Sequence, residues 1–477
     1  MRRPPGVKRE ARRASTCPFG RASGFHLDRI GTIAARAGPA RDGSAGICAK
    51  SGVGGTGGLP SFVAYWRRRS YLKRLPYLTG RETDRSPLNA HHDSRLPPDA
   101  VHPALEPLLA HGAGDGGAVD GFLAAHDVPL IEPGAATFLW RGGAEAVSLV
   151  RFIHGGGNRA AFARVPESDL WLLRLPVEDG GRFEYKLDVV RDGHGELMVD
   201  PLNPARAGDP FGENSVCRTH GYERPEWSGP RGAPAGRIEP LEVPSVAFGE
   251  IRHERVYLPA GYDPDARYPL VVIHDGEDFV TYADLAVSLD NLIEAGDIPP
   301  VLAALVQTRD RTGEYARGRR HARYLVRDLL PLLNLRFPVS ERAGERVLLG
   351  ASLGAVASLA TSFRYPGVFG GLVLKSGSFI LDREKLKGRA HPVFHRVERL
   401  VRALKRAPKL PPTRAFVSTG ELEGLAEDNA ALAMFLRGHG VDVLFKSAWD
   451  GHHWHNWRDQ LRDGLRWVLR PGEDQTG

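Results

Sequence analysis

The run Val347-Leu348-Leu349-Gly350-Ala351-Ser352-Leu353-Gly354-Ala355-Val356 reads as a buried strand, a tight turn and the start of a helix. Its centre, Gly350 to Gly354, is G-x-S-x-G, with the strand Val347 to Leu349 before it and helical spacing over Ala355 to Phe363 after it. Glycines on both sides relieve the crowding of so sharp a turn, and this strand-turn-helix context marks an exposed nucleophilic serine rather than a helix-capping one. A serine hydroxyl attacks only when a base takes its proton, so the base must lie elsewhere in the chain.

Working outward, strand-like apolar runs alternate with helical patterns on both sides of Ser352. The strands are Pro269 to His274, Val301 to Gln307, Arg346 to Gly350, Gly371 to Lys375, Thr413 to Ser418 and Val441 to Ser447. Helices are expected near Leu285 to Ala295, Tyr324 to Leu335, Phe394 to Leu404, Ala426 to Arg437 and up to Leu469. Uninterrupted apolar strands alternating with helices predict a mostly parallel sheet covered on both faces, the α/β class.

In α/β hydrolases the order along the chain is serine, acid, histidine, each partner on a loop after a late strand. After Thr413 to Ser418 come Gly420, Glu421, Leu422 and Glu423, where either glutamate is a candidate acid. After Val441 to Ser447 come Asp450, Gly451, His452, His453, Trp454 and His455. His452, at the loop start, is the first candidate base; His453 and His455 are expected to line the site or face solvent. These histidines have no carboxylate or cysteine ligand at helical spacing, so no metal is expected.

Upstream, Ala136 to Trp140, Val147 to Ile153, Leu170 to Leu175 and Arg182 to Val190 read as short strands. In the last, Phe183, Tyr185, Leu187 and Val189 alternate with Arg182, Glu184, Lys186 and Asp188, a period of two. With glycine-rich turns between the runs, this predicts an antiparallel β-sandwich over 133–224. A helical segment is expected over 98–132, a Pro/Gly linker over 225–248, and the α/β part over 249–471, with a short tail over 472–477.

The formal charge of +7 is unevenly placed. Residues 1–80 carry 16 Lys+Arg against 3 Asp+Glu, which leaves 48 against 54 of the totals of 64 and 57 for the remainder. Residues 1–97 therefore read as a disordered basic tail. No apolar segment follows Arg13 as a secretory signal requires, and no nucleic-acid-binding fold motif accompanies the arginines. Neither nucleic acid nor membrane is expected as a partner. Cys17, Cys48 and Cys217 are too scattered for a disulfide framework, which makes the cytoplasm the expected location.

The run from Tyr268 to Leu469 resembles the esterase D and enterochelin esterase family of α/β hydrolases. The resemblance rests on Ile273-His274-Asp275-Gly276-Glu277-Asp278, Arg309-Asp310-Arg311 with Glu314-Tyr315, the Ser352 pentapeptide and Ser376-Gly377-Ser378-Phe379. It extends to Gly420 with Glu423, and to Gly451-His452 with Trp454, Trp457 and Arg458. The family's N-terminal sandwich is matched by Phe138-Leu139-Trp140, Asp169-Leu170-Trp171, Phe183-Glu184-Tyr185 and Asp200-Pro201-Leu202-Asn203-Pro204.

The resemblance implies an immunoglobulin-like sandwich ahead of an α/β-hydrolase domain, with Ser352 as nucleophile, His452 as base and Glu423 as acid. It implies oxyanion donors at the backbone of Leu353 and of Gly276 or Glu277. Arg309, Arg311, Lys375, His453 and Trp454 are the expected substrate contacts. The chain departs from the family at His453, where enterochelin esterases commonly carry aspartate, and at Lys375, where a neutral residue is expected. The implied activity is a cofactor-free serine esterase acting on a small-molecule ester, first a siderophore lactone whose ferric iron belongs to the substrate. The alternatives are an ester of a carbohydrate or aryl acid, and a non-catalytic siderophore- or glycan-binding protein.

Overall fold

The structure, a computed structural model, describes residues 101–111, 114–151, 159–388, 392–406 and 414–471. The basic tail expected over 1–97 and the C-terminal tail over 472–477 lie outside the described residues. The described residues form a mixed α/β structure with three sheets.

Two antiparallel sheets form the first part. One has the order β1-β2-β6-β5, from β1 (Leu130–Glu132), β2 (Ala135–Arg141), β5 (Ala163–Arg164) and β6 (Leu170–Pro176). The other has the order β4-β3-β7-β10-β9, with β8 also paired to β7. Its strands are β3 (Ala146–Arg151), β4 (Arg159–Ala161), β7 (Arg182–Arg191), β8 (His194–Met198), β9 (Arg206–Asp209) and β10 (Gly212–Arg218). The sheets share a core of Phe138, Trp140, Leu149, Trp171, Phe183, Tyr185, Leu187 and Cys217. Strand β2 is buried on both faces because the helices Glu106–His111 and Gly116–Ala125 cover its far side, where Leu105, Leu108 and Val119 meet Leu139, Leu170 and Leu172.

The third sheet has eight strands in the order β11-β12-β14-β13-β15-β16-β17-β18. They are β11 (Arg237–Ser245), β12 (Glu250–Leu258), β13 (Leu270–His274), β14 (Leu302–Val306), β15 (Arg346–Ala351), β16 (Gly371–Lys375), β17 (Arg414–Gly420) and β18 (Asp442–Ala448). Pairing is parallel from β14 through β18 and antiparallel at β11–β12 and β12–β14. Every residue of β13, β14 and β16 is buried, and a separate apolar cluster covers each face of the sheet. The strand order changes direction between β13 and β15. A crevice at the carboxyl ends of such a pair is the usual ligand site of an open α/β sheet.

One boundary needs correction. The stretch 225–248, expected as a linker, holds strand β11, which pairs with β12 over nine residues from Arg237↔Leu258 to Ser245↔Glu250. Its prolines, Pro240 and Pro244, belong to an edge strand, where a missing N–H leaves no ladder partner unsatisfied. Ahead of it, Trp227 is buried and its carbonyl accepts a 2.8 Å hydrogen bond from Asn291 Nδ2, so this segment is docked as well. Among the described residues no helix is long and apolar enough to cross a membrane.

Candidate active site

Strand β15 ends at Ala351, and Ser352 turns the chain into the helix Leu353–Arg364 with φ 55° and ψ −118°. Side chains seldom accept that backbone geometry, which pushes the serine out of the turn. The turn closes tightly: a Cβ on Gly350 would stand 2.4 Å from the Gly354 carbonyl carbon, and one on Gly354 would stand 3.1 Å from His274 Cβ. Ser352 N–H donates to the Lys375 carbonyl at 2.9 Å, and its own carbonyl accepts from Ser378 N–H at 3.2 Å. Its hydroxyl caps no helix N–H; it lies 3.0 Å from Ser378 Oγ and is partly exposed.

Glu423 follows β17 and His452 follows β18, so both reach the carboxyl edge of the sheet where Ser352 stands. His452 Nδ1 is 2.5 Å from Glu423 Oε2. Glu423 Oε1 accepts from Ser376 Oγ at 2.5 Å, from Thr419 Oγ1 at 3.2 Å and from the Gly420 N–H. Burial by itself raises a carboxyl pKa. Here the imidazole of His452 and the donated hydrogen bonds outweigh it and hold Glu423 below the ordinary value, keeping it ionised. Trp457 Nε1 donates to Ser376 Oγ at 3.0 Å, and the indole meets the His452 ring edge-on at 5.1 Å. Glu421 instead accepts from Ser447 Oγ on an exposed face, so the structure places Glu423 on the histidine.

The loop after β13 completes this edge. Asp275 takes a left-handed conformation (φ 55°, ψ 42°) and Gly276 opens the helix Gly276–Tyr282. Only glycine fits there, since a Cβ would lie 2.5 Å from Leu305 Cα. Gly276 and Glu277 on that helix, and Leu353 on the helix after β15, are first-turn residues whose N–H groups have no intrahelical acceptor. Arg311 ties this loop to the serine turn, with Nη2 2.9 Å from Asp275 Oδ2 and 3.2 Å from the Ala351 carbonyl.

The other expected substrate contacts divide. Arg311 is partly exposed, and Trp454 stacks edge-on with Phe279 at 5.2 Å and with Trp457 at 4.8 Å, so both border the site. Arg309 pairs with Glu250 at 2.6 Å at the surface, joining the loop after β14 to β12. Lys375 is fully buried: its position on β16, two residues after Val373, turns the side chain into the sheet's interior beside Phe416. Burial there lowers its pKa to about 7. His453 is also buried and faces Glu184 of β7, with Nδ1 3.4 Å from Oε2. Lys375 and His453 are thus enclosed, and Arg309 is held in a surface ion pair.

Sequence reasoning missed two groups. Ser376, Ser378 and Trp457 buttress the serine and the glutamate, and their signal was their position inside the quoted motifs. The second group joins the sandwich to the histidine loop. Arg182 Nη1 donates to Asp450 Oδ2 at 3.0 Å and Nη2 to Glu184 Oε1 at 2.9 Å, all three side chains being buried. Arg182 and Glu184 belong to what the alternation presents as the polar face of β7, and its first residues are covered by a loop 268 positions away.

Residues 245–468 match a family model described as putative esterase. The chain is 24% identical over 391 residues to the iron(III) enterobactin esterase of Dickeya dadantii, covering 71% of this chain and 88% of that protein. It is 24% identical over 166 residues to an endo-1,4-beta-xylanase/feruloyl esterase of Xylanibacter ruminicola, covering 31% of this chain and 23% of that protein. In three dimensions it resembles the enterobactin esterase of Shigella flexneri crystallised in the presence of enterobactin. The TM-score is 0.61 at 21% identity, over 74% of this chain and 98% of the other, which shows a shared fold.

Proposed function

The chain is an enterochelin esterase-like member of the esterase family, and from that premise we propose that it is a serine carboxylic-ester hydrolase working through an acyl-enzyme. In this reading the eight-stranded part is an α/β-hydrolase domain and the two-sheet part an immunoglobulin-like sandwich. The observation that carries it is the 2.5 Å contact of His452 with ionised Glu423 at the same sheet edge as the outward-turned Ser352.

The chemistry follows from those groups. His452 Nε2 takes the proton of Ser352 as Oγ attacks the ester carbonyl, while Glu423 fixes the tautomer through Nδ1–H and stabilises the imidazolium. The oxyanion is held by Leu353 N–H and by the N–H of Gly276 or Glu277. His452 returns the proton to the departing alcohol, and water, deprotonated by the same imidazole, releases the acid. Ser352 Oγ leaves its resting partner Ser378 Oγ at the first step.

The substrate is a siderophore lactone of the enterochelin type or a related ester, with Arg311 and Trp454 at the rim of the site. Support comes from the relative that acts on iron(III) enterobactin, whose likeness runs through 71% of this chain. A carbohydrate or aryl-acid ester is the second reading, supported by the shorter match to the xylanase/feruloyl esterase.

The test is hydrolysis of short-chain p-nitrophenyl esters and labelling with a fluorophosphonate, wild type beside Ser352→Ala. Both signals are expected in the wild type and neither in the variant. A wild type that does neither overturns the reading and leaves a binding protein as the better one; a Ser352→Ala variant that still turns over overturns Ser352 as the nucleophile.

A further inference from the structure

The loop from Trp449 to His453 carries His452; the following helix holds it through Asn456 Nδ2 on the Gly451 carbonyl at 2.8 Å, and its remaining long-range anchors run to the sandwich or to the Glu423 loop. Arg182 N–H donates to the Trp449 carbonyl at 3.1 Å. Asp450 is held twice, by Arg182 Nη1 on Oδ2 at 3.0 Å and by Gly451 N–H on Oδ1 at 2.6 Å, while its carbonyl accepts from Leu422 N–H at 3.1 Å. His453, the residue after His452, meets Glu184. Glu184 is fixed in turn by Arg182 and by Asn214 Nδ2 at 3.0 Å. The approach is too close for a side chain at position 181, where a Cβ would stand 2.6 Å from the Trp449 carbonyl oxygen.

Docking alone does not call for this arrangement. A buried cluster of charges is no better for holding two surfaces together than well-packed apolar residues, because each ion must be stripped of water. What charged pairs add is geometry: forked, directional bonds fix backbone and side chains in one place. The Arg182 fork ends on Asp450 and its backbone N–H on the Trp449 carbonyl, while Glu184 faces the His453 ring at 3.4 Å, so the contacts lie on both sides of His452.

We propose that Arg182 and Glu184 are positioning residues for catalysis, holding the loop from below so that the His452 imidazole sits between Glu423 and Ser352. The sandwich is then part of the active site's framework. This rests on His452 being the general base, and displacement of a catalytic group by about 1 Å costs on the order of 100-fold in rate.

The experiment uses the full chain with Glu184→Gln, Arg182→Met and Arg182→Lys, beside Arg159→Gln, which removes a surface pair with Asp188 elsewhere on the sandwich. Two quantities are read: kcat and KM for a p-nitrophenyl ester, and the low-field proton NMR resonance of His452 Nδ1–H, identified by its loss in His452→Gln. Glu184→Gln and Arg182→Met are expected to lower kcat about 100-fold with KM changed by no more than about twofold, the pattern of a lost transition-state geometry. The resonance broadens or shifts in both, Arg182→Lys recovers part of each signal, and Arg159→Gln leaves both alone. Wild-type kcat and an unmoved resonance in folded Glu184→Gln and Arg182→Met overturn the proposal, as does an equal loss in Arg159→Gln. Should Arg182→Met not fold, the isosteric Glu184→Gln decides alone. A wild type without esterase activity defeats the hydrolase reading, and the resonance still decides whether Arg182 and Glu184 position His452.

Discussion

Glu423 holds His452 Nδ1 with one oxygen at 2.5 Å while Ser376, Thr419 and the Gly420 N–H occupy the other, so the carboxylate cannot rotate away from the imidazole. Glu423→Gln puts an amide where an acceptor is needed and favours the wrong tautomer. The expected loss in kcat is on the order of 1,000-fold or more. Glu421→Gln, two residues earlier on the exposed side, stays close to wild type. Steady-state kinetics of the two variants side by side check this.

Gly276 is pressed against Leu305, and a methyl group there would meet backbone. Gly276→Ala must push the loop after β13 outward and with it the N–H groups that face the site. Loss of one oxyanion donor costs about 100-fold or more in kcat. KM is expected to hold, because the ground-state carbonyl depends little on these donors.

Burial holds His453 neutral and brings its pKa from 6.5 down to about 4, with Arg182 adding to the effect and Glu184 opposing it. The unfolded chain therefore takes up the proton first as the pH falls. The contribution to stability is present above pH 6.5 and is lost progressively toward pH 4, by on the order of 3 kcal/mol. Denaturant midpoints measured between pH 7 and 4 should fall for the wild type and fall less for His453→Asn. His453→Asp, which sets a carboxylate against Glu184, should destabilise the protein at neutral pH.

Lys375 has its pKa lowered from 10.5 to about 7 by burial, only partly offset by Asp463 and Asp459. Between those values the unfolded chain holds the proton that the folded one gives up, so the cost of burying this amine shrinks as pH rises toward 10.5. Lys375→Met is expected to raise Tm at pH 7 and to raise it less at pH 10. KM should be unchanged, since the side chain is enclosed beside Phe416.

Much of the framework could be read without coordinates. Apolar runs such as Val271 to Ile273 and Leu372 to Leu374 can only be buried strands, and glycines around Ser352 in that setting force the turn. What escaped was decided by partners far along the chain. Glu421 and Glu423 both follow Gly420, and spacing leaves the two open; the family resemblance points to Glu423, and it is Glu423 that meets His452 in the fold. Lys375 read as a substrate contact at a strand end, although its alternation with Val373 points it inward. Pro240 and Pro244 read as linker because nothing local distinguishes a linker from an edge strand. Arg182 and Glu184 sit on the polar side of a strand with perfect period two, and no local pattern announces that a distant loop covers them.

The backbone at Ser352, φ 55° and ψ −118°, implies a trade between endurance and activity. A residue with a Cβ held in that region carries a penalty of about 1–3 kcal/mol for as long as the protein is folded, whether or not substrate is present. Glycine escapes it. The inactive Ser352→Gly variant is thus expected to melt at a higher temperature than Ser352→Ala and no lower than the wild type. Selection for stability alone would erase the nucleophile; the serine persists at this position as a standing sacrifice of robustness for reactivity.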